Sequence, residues 1–302
     1  MSRNIYKESN AQPEVVSVGI IGLGVVGSVL ARIFSRNGIQ VCVYDVLCNE
    51  PQSQEILKSR AQTVGAKLAS LPDLIQQSTW IISSVTTQMA EEVARQCLPL
   101  LDEDQVFFDV NSTSSKTKMF IQTIISSGKA MFVEGVILNA VNFDDTTLNF
   151  LTAGEKGAEV ADFLFHVGIK AKFYGNEVGK ASEFKMIRSI FSKGVEVLLL
   201  ETLVTAKKAG IDQEIWEEIN SVMDSKPFSE IASTWIASHP RACERRFHEM
   251  QQVIETMKDL DVKRTLTNAT VQYFADSVNL DLHKSIKSHY SVDEVIALLV
   301  KN

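Results

Sequence analysis

One turn constrains this chain more than any other stretch: Gly22-Leu23-Gly24-Val25-Val26-Gly27, set between two segments of different period. Before it, Val15-Val16-Ser17-Val18-Gly19-Ile20-Ile21 is a short run rich in β-branched residues, the pattern of a strand buried on both faces. After it, Val26, Val29, Leu30, Ile33 and Phe34 recur at helical spacing, and the pattern stops at Gly38, a suitable residue just past a helix end. A second strand over 39–44 then leads to Asp45, eighteen residues beyond Gly27. Strand, G-x-G-x-x-G, helix, strand and acid in that order form the opening unit of a dinucleotide-binding sheet. Gly22 allows the tight turn, Gly24 lets the backbone approach a pyrophosphate, and Gly27 lets helix and strand pack closely. The backbone N–H groups of Leu23, Val25 and Val26 belong to the same cradle, at a helix N-terminus that favours anions. Asp45 is placed for the adenosine ribose hydroxyls. No arginine follows it (Val46, Leu47), so the expected cofactor is NAD, with NADP as the alternative. Val85 and Thr86, at the end of a later strand, line the same crevice on this reading; an ordinary strand-end turn explains them equally well.

Strand and helix patterns keep alternating to Tyr174, which predicts an α/β Rossmann domain with a mostly parallel, doubly wound sheet. After Tyr174 only helical patterns remain, over 177–209, 212–223, 227–237, 245–260, 262–275 and 292–300. The expected organisation is a flexible tail over 1–14, an NAD-binding domain over 15–175, and an all-α substrate and dimerisation domain over 176–302. A helix over 177–209, roughly 45 Å long, joins the two. It is apolar nearly all round, which predicts burial, and carries one polar stripe: Lys185, Arg188, Ser189, Ser192 and Glu196 share a face. A lysine and an arginine on a buried helix need a reason. Later, His239-Pro240-Arg241 and Arg245-Arg246-Phe247-His248 form a basic cluster, read either as a solvated helix start or as a part of the ligand site.

Among 302 residues, 45% are apolar and 22% charged, the composition of a globular protein with a substantial core. The net charge of −7 speaks against a nucleic-acid partner. Cys42, Cys48, Cys97 and Cys243 are scattered, with neither metal-ligand nor disulfide spacing. No apolar run reaches the ~20 residues of a membrane span. A soluble cytoplasmic protein, without metal and without a membrane partner, is the expectation.

With these motifs in view, the chain resembles the β-hydroxyacid dehydrogenases, the family of 3-hydroxyisobutyrate and 6-phosphogluconate dehydrogenases. The resemblance rests on the glycine-rich turn, Asp109-Val110-Asn111-Ser112, the 132–140 stretch and the helix that follows Gly179. It runs from Val16 to about Leu299, and its second half is most similar to a branch with a compact 6-phosphogluconate-dehydrogenase-like helical domain. The resemblance implies that Lys185 is the catalytic lysine and that Asn111 and Ser112 face the substrate. Helix capping by Ser112 or Ser114 is the alternative for that segment. The family's Ser-Gly-Gly loop falls on Leu138-Asn139-Ala140, and its paired residues after the lysine fall on Arg188 and Ser189. The glutamate that serves phosphogluconate decarboxylation falls on Ser192. The substrate pocket therefore departs from the family, and phosphogluconate is not the expected substrate.

These residues imply hydride transfer, in a cleft between the domains, between nicotinamide and a small anionic β-hydroxyacid or related aldehyde. Lys185 would exchange the proton with the oxygen, and Arg188 would grip the acid group through its bidentate fork. A free lysine titrates near 10.4, so work as a neutral base at pH 7 needs a depression of about 3.4 units. Burial and the nearby Arg188 act in that direction. An imine reductase on the same fold, a non-catalytic NAD(H)-sensing protein and a cofactor-free α/β protein are the rival readings; a homodimer is the expected assembly. Asp45→Ala is expected to relax the preference for NADH over NADPH, measured as the ratio of their dissociation constants by nicotinamide fluorescence; an unchanged ratio would remove Asp45 from cofactor selection.

Overall fold

Alternation along very short strands builds the first half of the molecule. The computed structural model describes residues 17–144, 147–282, 287 and 289–301; the tail expected over 1–14, with Val15 and Val16, lies outside them. Strands β1 (Val18–Ile21), β2 (Val41–Tyr44), β3 (Lys67–Leu68), β4 (Trp80–Ser83), β5 (Val106–Asp109), β6 (Met131–Ile137), β7 (Asn149–Ala153) and β8 (Lys170–Gly175) form one sheet. Their order is β3-β2-β1-β4-β5-β6-β7-β8. All neighbours are parallel except β6 and β7.

Helices α1 (Val25–Arg36), α2 (Pro51–Thr63), α3 (Leu71–Gln76), α4 (Ala90–Cys97), α5 (Ser115–Ser126) and α6 (Gly157–His166) cover the sheet. Val18, Ile20, Ile82 and Phe108 join Leu30, Phe34 and Leu164 in one core layer. Their strand neighbours Ile21, Ile81 and Phe107 join Leu74, Val93, Ala94 and Ile121 in the other. Both layers are needed because every second side chain points the opposite way. The strand order reverses between β1 and β4, where a doubly wound sheet opens a crevice at its carboxyl edge.

The remaining helices are α7 (Lys180–Ala209), α8 (Asp212–Asp224), α9 (Phe228–Asp259), α10 (Thr265–Asn279) and α11 (Val292–Val300). The chain divides into two compact units, the first ending at Arg188 and the second beginning at Ser189. That division falls inside α7 rather than in the turn near Gly175, because the first turns of α7 are bonded to strands and loops of the sheet, as described below.

Two expectations from the sequence need correction. The 227–237 and 245–260 helices are one helix, α9, which continues through Pro240. A proline removes a backbone donor inside a helix, here the one that would meet the Ile236 carbonyl; the preceding Trp235 carbonyl accepts from the Ser238 hydroxyl (3.0 Å) and the Arg246 guanidinium (3.4 Å). Nor is α7 a buried helix within a single chain: Ile187, Ile190 and Leu200 are 62%, 75% and 59% exposed.

The basic cluster is used inside the second unit. The His239 ring lies 3.0 Å from the Ser277 hydroxyl and stacks on Phe274. Arg246 donates to Ser238 at 2.8 Å, and Arg245 pairs with Glu249. Among the described residues, no helix is long and apolar enough to cross a membrane.

Candidate active site

The glycine-rich turn adopts the conformation its residues allow. Gly22 has φ +95°, a region that side chains disfavour. A Cβ at Gly27 would collide with the Gly22 carbonyl, so helix and strand approach more closely than alanine permits. At Gly24, by contrast, a Cβ would meet no protein atom within 4 Å. Internal packing therefore does not explain that glycine, and the space over it is open. No side chain caps the N-terminus of α1, which leaves its first donors for an anion. These features fit a dinucleotide pyrophosphate.

Asp45 is at the end of β2, where its carboxylate accepts from Leu23 N at 2.8 Å and Leu47 N at 3.1 Å. It therefore shapes the turn itself, in addition to the role expected of it toward a ribose. From α2, Arg60 donates to the Leu23 carbonyl at 2.9 Å. A cation thus reaches this corner from fifteen residues beyond Asp45, with no motif to announce it.

On the other side of the crevice, the amide of Asn111 bridges two strand ends. Its Oδ1 accepts from Val85 N at 2.7 Å and its Nδ2 donates to Ser83 Oγ at 2.9 Å. Asn111 is buried, and these bonds set the course of the Val85-Thr86 segment. Ser112 does not cap α5; Ser114 does, accepting from Thr117 N. The Ser112 hydroxyl is turned instead toward Lys185, whose Nζ donates to it at 2.6 Å.

The position of Lys185 follows from a buried carboxylate. Glu134, on β6, is fully buried and accepts from Gly179 N at 2.6 Å and Ser182 N at 2.7 Å, at the start of α7. The anion meets unpaired helix donors and the positive end of the helix dipole, which offset its burial. Gly179 is required there: its φ is +97°, and a Cβ would strike the Ser115 hydroxyl. One turn after Ser182, Lys185 reaches Ser112, and Arg188 Nη1 donates to the Leu138 carbonyl at 2.7 Å. Glu196 pairs with Lys193 instead of Arg188. The polar stripe of α7 thus divides between the sheet and the solvent.

Beneath Ser112, Lys118 of α5 is fully buried. Its Nζ donates to the Asp109 carbonyl (2.8 Å), Asp109 Oδ1 (3.0 Å) and the Gly135 carbonyl (3.2 Å). Burial lowers the Lys185 amine to about 8, helped by the positive charges of Lys118 and then Arg188. The depression falls short of what a mostly neutral amine at pH 7 requires.

Leu138 and Asn139 are engaged within the protein. Leu138 N donates to the Asn149 carbonyl at 2.8 Å. Asn139 donates to the Ala140 and Thr147 carbonyls at 2.9 and 2.8 Å and accepts from Asn149 N at 2.9 Å. A side chain thus staples the loop onto which the family's Ser-Gly-Gly falls. Ser189 lies just past the division, in the second unit. Val26, Val85, Thr86, Asn111, Ser112 and Lys185 are among the residues around one open cavity of about 480 Å³ in the first unit.

Sequence reasoning missed Glu134, Lys118 and Arg60. Signals existed for two of them. An acid and a glycine interrupt the apolar run of β6, and Lys118 shares the helical face of the buried Ile121 and Ile125. Glu134→Ala is expected to cost on the order of 2–3 kcal/mol of stability by stranding two helix donors, measured by urea denaturation; a midpoint equal to wild type would show that the carboxylate does not anchor α7.

Residues 17–174 match the NAD binding domain of 6-phosphogluconate dehydrogenase, and residues 206–277 match a domain of unknown function, DUF1932. The chain is 24% identical to the chloroplastic glyoxylate/succinic semialdehyde reductase 2 of Arabidopsis thaliana, over 68% of this chain and 58% of that one. A solved protein of unknown function, described as structurally similar to 3-hydroxyacid dehydrogenases, is 26% identical with a TM-score of 0.58, covering 90% of this chain and 100% of that one. An imine reductase variant from Myxococcus stipitatus in complex with NAD+ shares the fold at 18% identity, with a TM-score of 0.74 over 94% of this chain and 99% of that one. The chain therefore belongs to the family defined by the NAD binding domain of 6-phosphogluconate dehydrogenase, and it is an NAD(P)-dependent oxidoreductase whose cofactor domain is its first unit.

Proposed function

We propose that this protein interconverts a small acid bearing an aldehyde or ketone and the corresponding hydroxyacid, with Lys185 exchanging the proton at the oxygen. The observation that carries this reading is the bond of 2.6 Å from Lys185 Nζ to Ser112 Oγ, at the carboxyl edge of β5 beside the cofactor crevice. The bound nicotinamide supplies or accepts the hydride. Lys185 gives its proton to the carbonyl oxygen during reduction and takes it back from the hydroxyl during oxidation. Ser112 orients the amine and can share a hydrogen bond with the same oxygen. Asn111 holds the Val85-Thr86 wall of the cavity, and Arg188 supplies positive charge for the acid group. Asp45 favours NAD over NADP by placing a carboxylate where a 2′-phosphate would lie. The Arabidopsis relative is named for reduction of two small aldehyde acids, which supports the same substrate class here. The imine reductase shares the fold alone at its level of identity, and the lysine at 185 favours the carbonyl reading.

The titration of Lys185 sets the expected pH dependence. With the amine at about 8, it is protonated roughly ten to one at pH 7, the form a general acid needs. Reduction should therefore fall as pH rises through about 8, and oxidation should rise over the same range. A panel of aldehyde acids, keto acids and cyclic imines with NADH, followed by nicotinamide absorbance, tests the substrate class. Lys185→Ala is expected to retain NADH binding and lose about 100-fold or more in turnover; full turnover in the variant would remove Lys185 from the mechanism.

We further propose a homodimer. Ile190, Phe191, Leu198 and Leu200 of α7 are exposed in the single chain, and exposed apolar side chains along one helix are a surface that a second copy can cover. Sedimentation equilibrium should give twice the chain mass, and a monomer at micromolar concentration would refute the assembly.

A further inference from the structure

Lys118 has no place in the mechanism above, yet it is the least expected charge in the first unit. Its ammonium is fully buried, and the one carboxylate that it touches, Asp109, has Oδ2 buried without a hydrogen-bond partner. Asp109 Oδ1 is shared between Lys118 Nζ and Asn111 N (2.8 Å). A buried ion pair is by itself a weak reason to credit stability, since apolar residues of similar volume often serve as well or better. What distinguishes the lysine is where its bonds go. Asp109 opens the segment Asp109-Val110-Asn111-Ser112, whose last residue receives Lys185, and Gly135 follows Glu134, the residue that anchors the helix of Lys185.

We propose that Lys118 is a positioning residue for Lys185: its buried ammonium ties together the β5 and β6 ends on which Lys185 depends and presents a fixed positive charge to the Lys185 amine. This rests on the proton-exchange reading of Lys185, but its physical content can be tested without a substrate. The charged groups around Lys185 come from each element that surrounds it. Lys118 faces it from α5 and Arg188 from its own helix. Asp109 of β5 is bonded to Lys118, and Glu134 of β6 is bonded to backbone donors of α7. Among these, Lys118 is the buried cation whose charge water cannot screen effectively. Removing it should let Lys185 hold its proton to higher pH.

The experiment reads the titration of the Lys185 amine directly, by competitive labelling with isotopic acetic anhydride across pH and peptide mass spectrometry on the full chain without cofactor. Lys118→Met should move the Lys185 titration upward by about one pH unit, and Lys118→Arg should keep it near the wild-type position. If Lys118→Met strands Asp109 and fails to fold, Lys118→Gln provides the second test, because it keeps a hydrogen-bonding side chain against Asp109 and removes the charge. It should also move the titration upward. A folded Lys118→Met or Lys118→Gln chain with an unmoved or lowered Lys185 titration overturns the proposal. A merely structural Lys118 would change the melting temperature and leave the titration in place. Unchanged turnover in Lys185→Ala would sink the catalytic reading while leaving these titrations interpretable.

Discussion

The carboxylate of Glu134 at the start of α7 is the contact on which the site depends. A helix leaves its first backbone donors unpaired and carries a positive potential at that end. A fully buried acid on a neighbouring strand is otherwise costly. Each solves the other's problem: two charge-assisted bonds satisfy the helix, and the helix neutralises the strand. Because Gly179 and Ser182 are held to β6, the axial rotation of the first turns of α7 is fixed. Lys185 and Arg188 then reach Ser112 and the Leu138 carbonyl, Lys185 half-buried and Arg188 still open to solvent. A capping serine would have satisfied one of these donors at most, and without tying the helix to the strand.

Glu134 and Asp109 are register partners on adjacent parallel strands, so two buried acids stand side by side. They are compensated differently, Glu134 by backbone donors and Asp109 by the Lys118 ammonium. The result is a site with its negative charge enclosed in the sheet and its positive charge toward the ligand side. Lys185 therefore faces neighbours that disfavour its own protonation, while burial acts in the same sense and more strongly. The cofactor side is arranged by a similar economy. Asp45 and Arg60 hold the N–H and the carbonyl of the same residue, Leu23, so the turn is shaped from β2 and α2 before any ligand arrives.

The device recurs in the second unit. Glu201 of α7 accepts from Leu266 N, Thr267 N and the Thr267 hydroxyl at 3.0, 2.8 and 2.6 Å, capping α10 from another helix. Burial acts to raise the Glu201 carboxylate, but the Thr267 hydroxyl and then the backbone N–H groups of Thr267, Leu266 and Thr265 together outweigh it and hold it below the usual carboxylate range. Long-range acids thus substitute for local N-cap residues at two helix starts. Such partners are invisible to any local reading, since 45 and 65 residues separate the groups that meet.

The amino-acid sequence by itself determined the doubly wound domain, the cofactor turn, the change to an all-helical second half, and Lys185 with Ser112 as groups of chemical interest. These rest on local period, on glycines with backbone tasks, and on a family resemblance carried by short motifs. Only the tertiary structure decided how those groups are held. That Asn111 spends its amide on Val85 and Ser83, that Asn139 staples its own loop, and that Glu134 and Lys118 flank the site depend on contacts between strands and helices far apart in the chain. Pro240 shows the same limit from the other side. Locally it is a helix breaker, yet α9 runs through it. Local periodicity specifies which face of an element is apolar; the pairing of buried charges and stranded backbone groups is settled when those faces meet, because only then does each charge lose its water and need a partner.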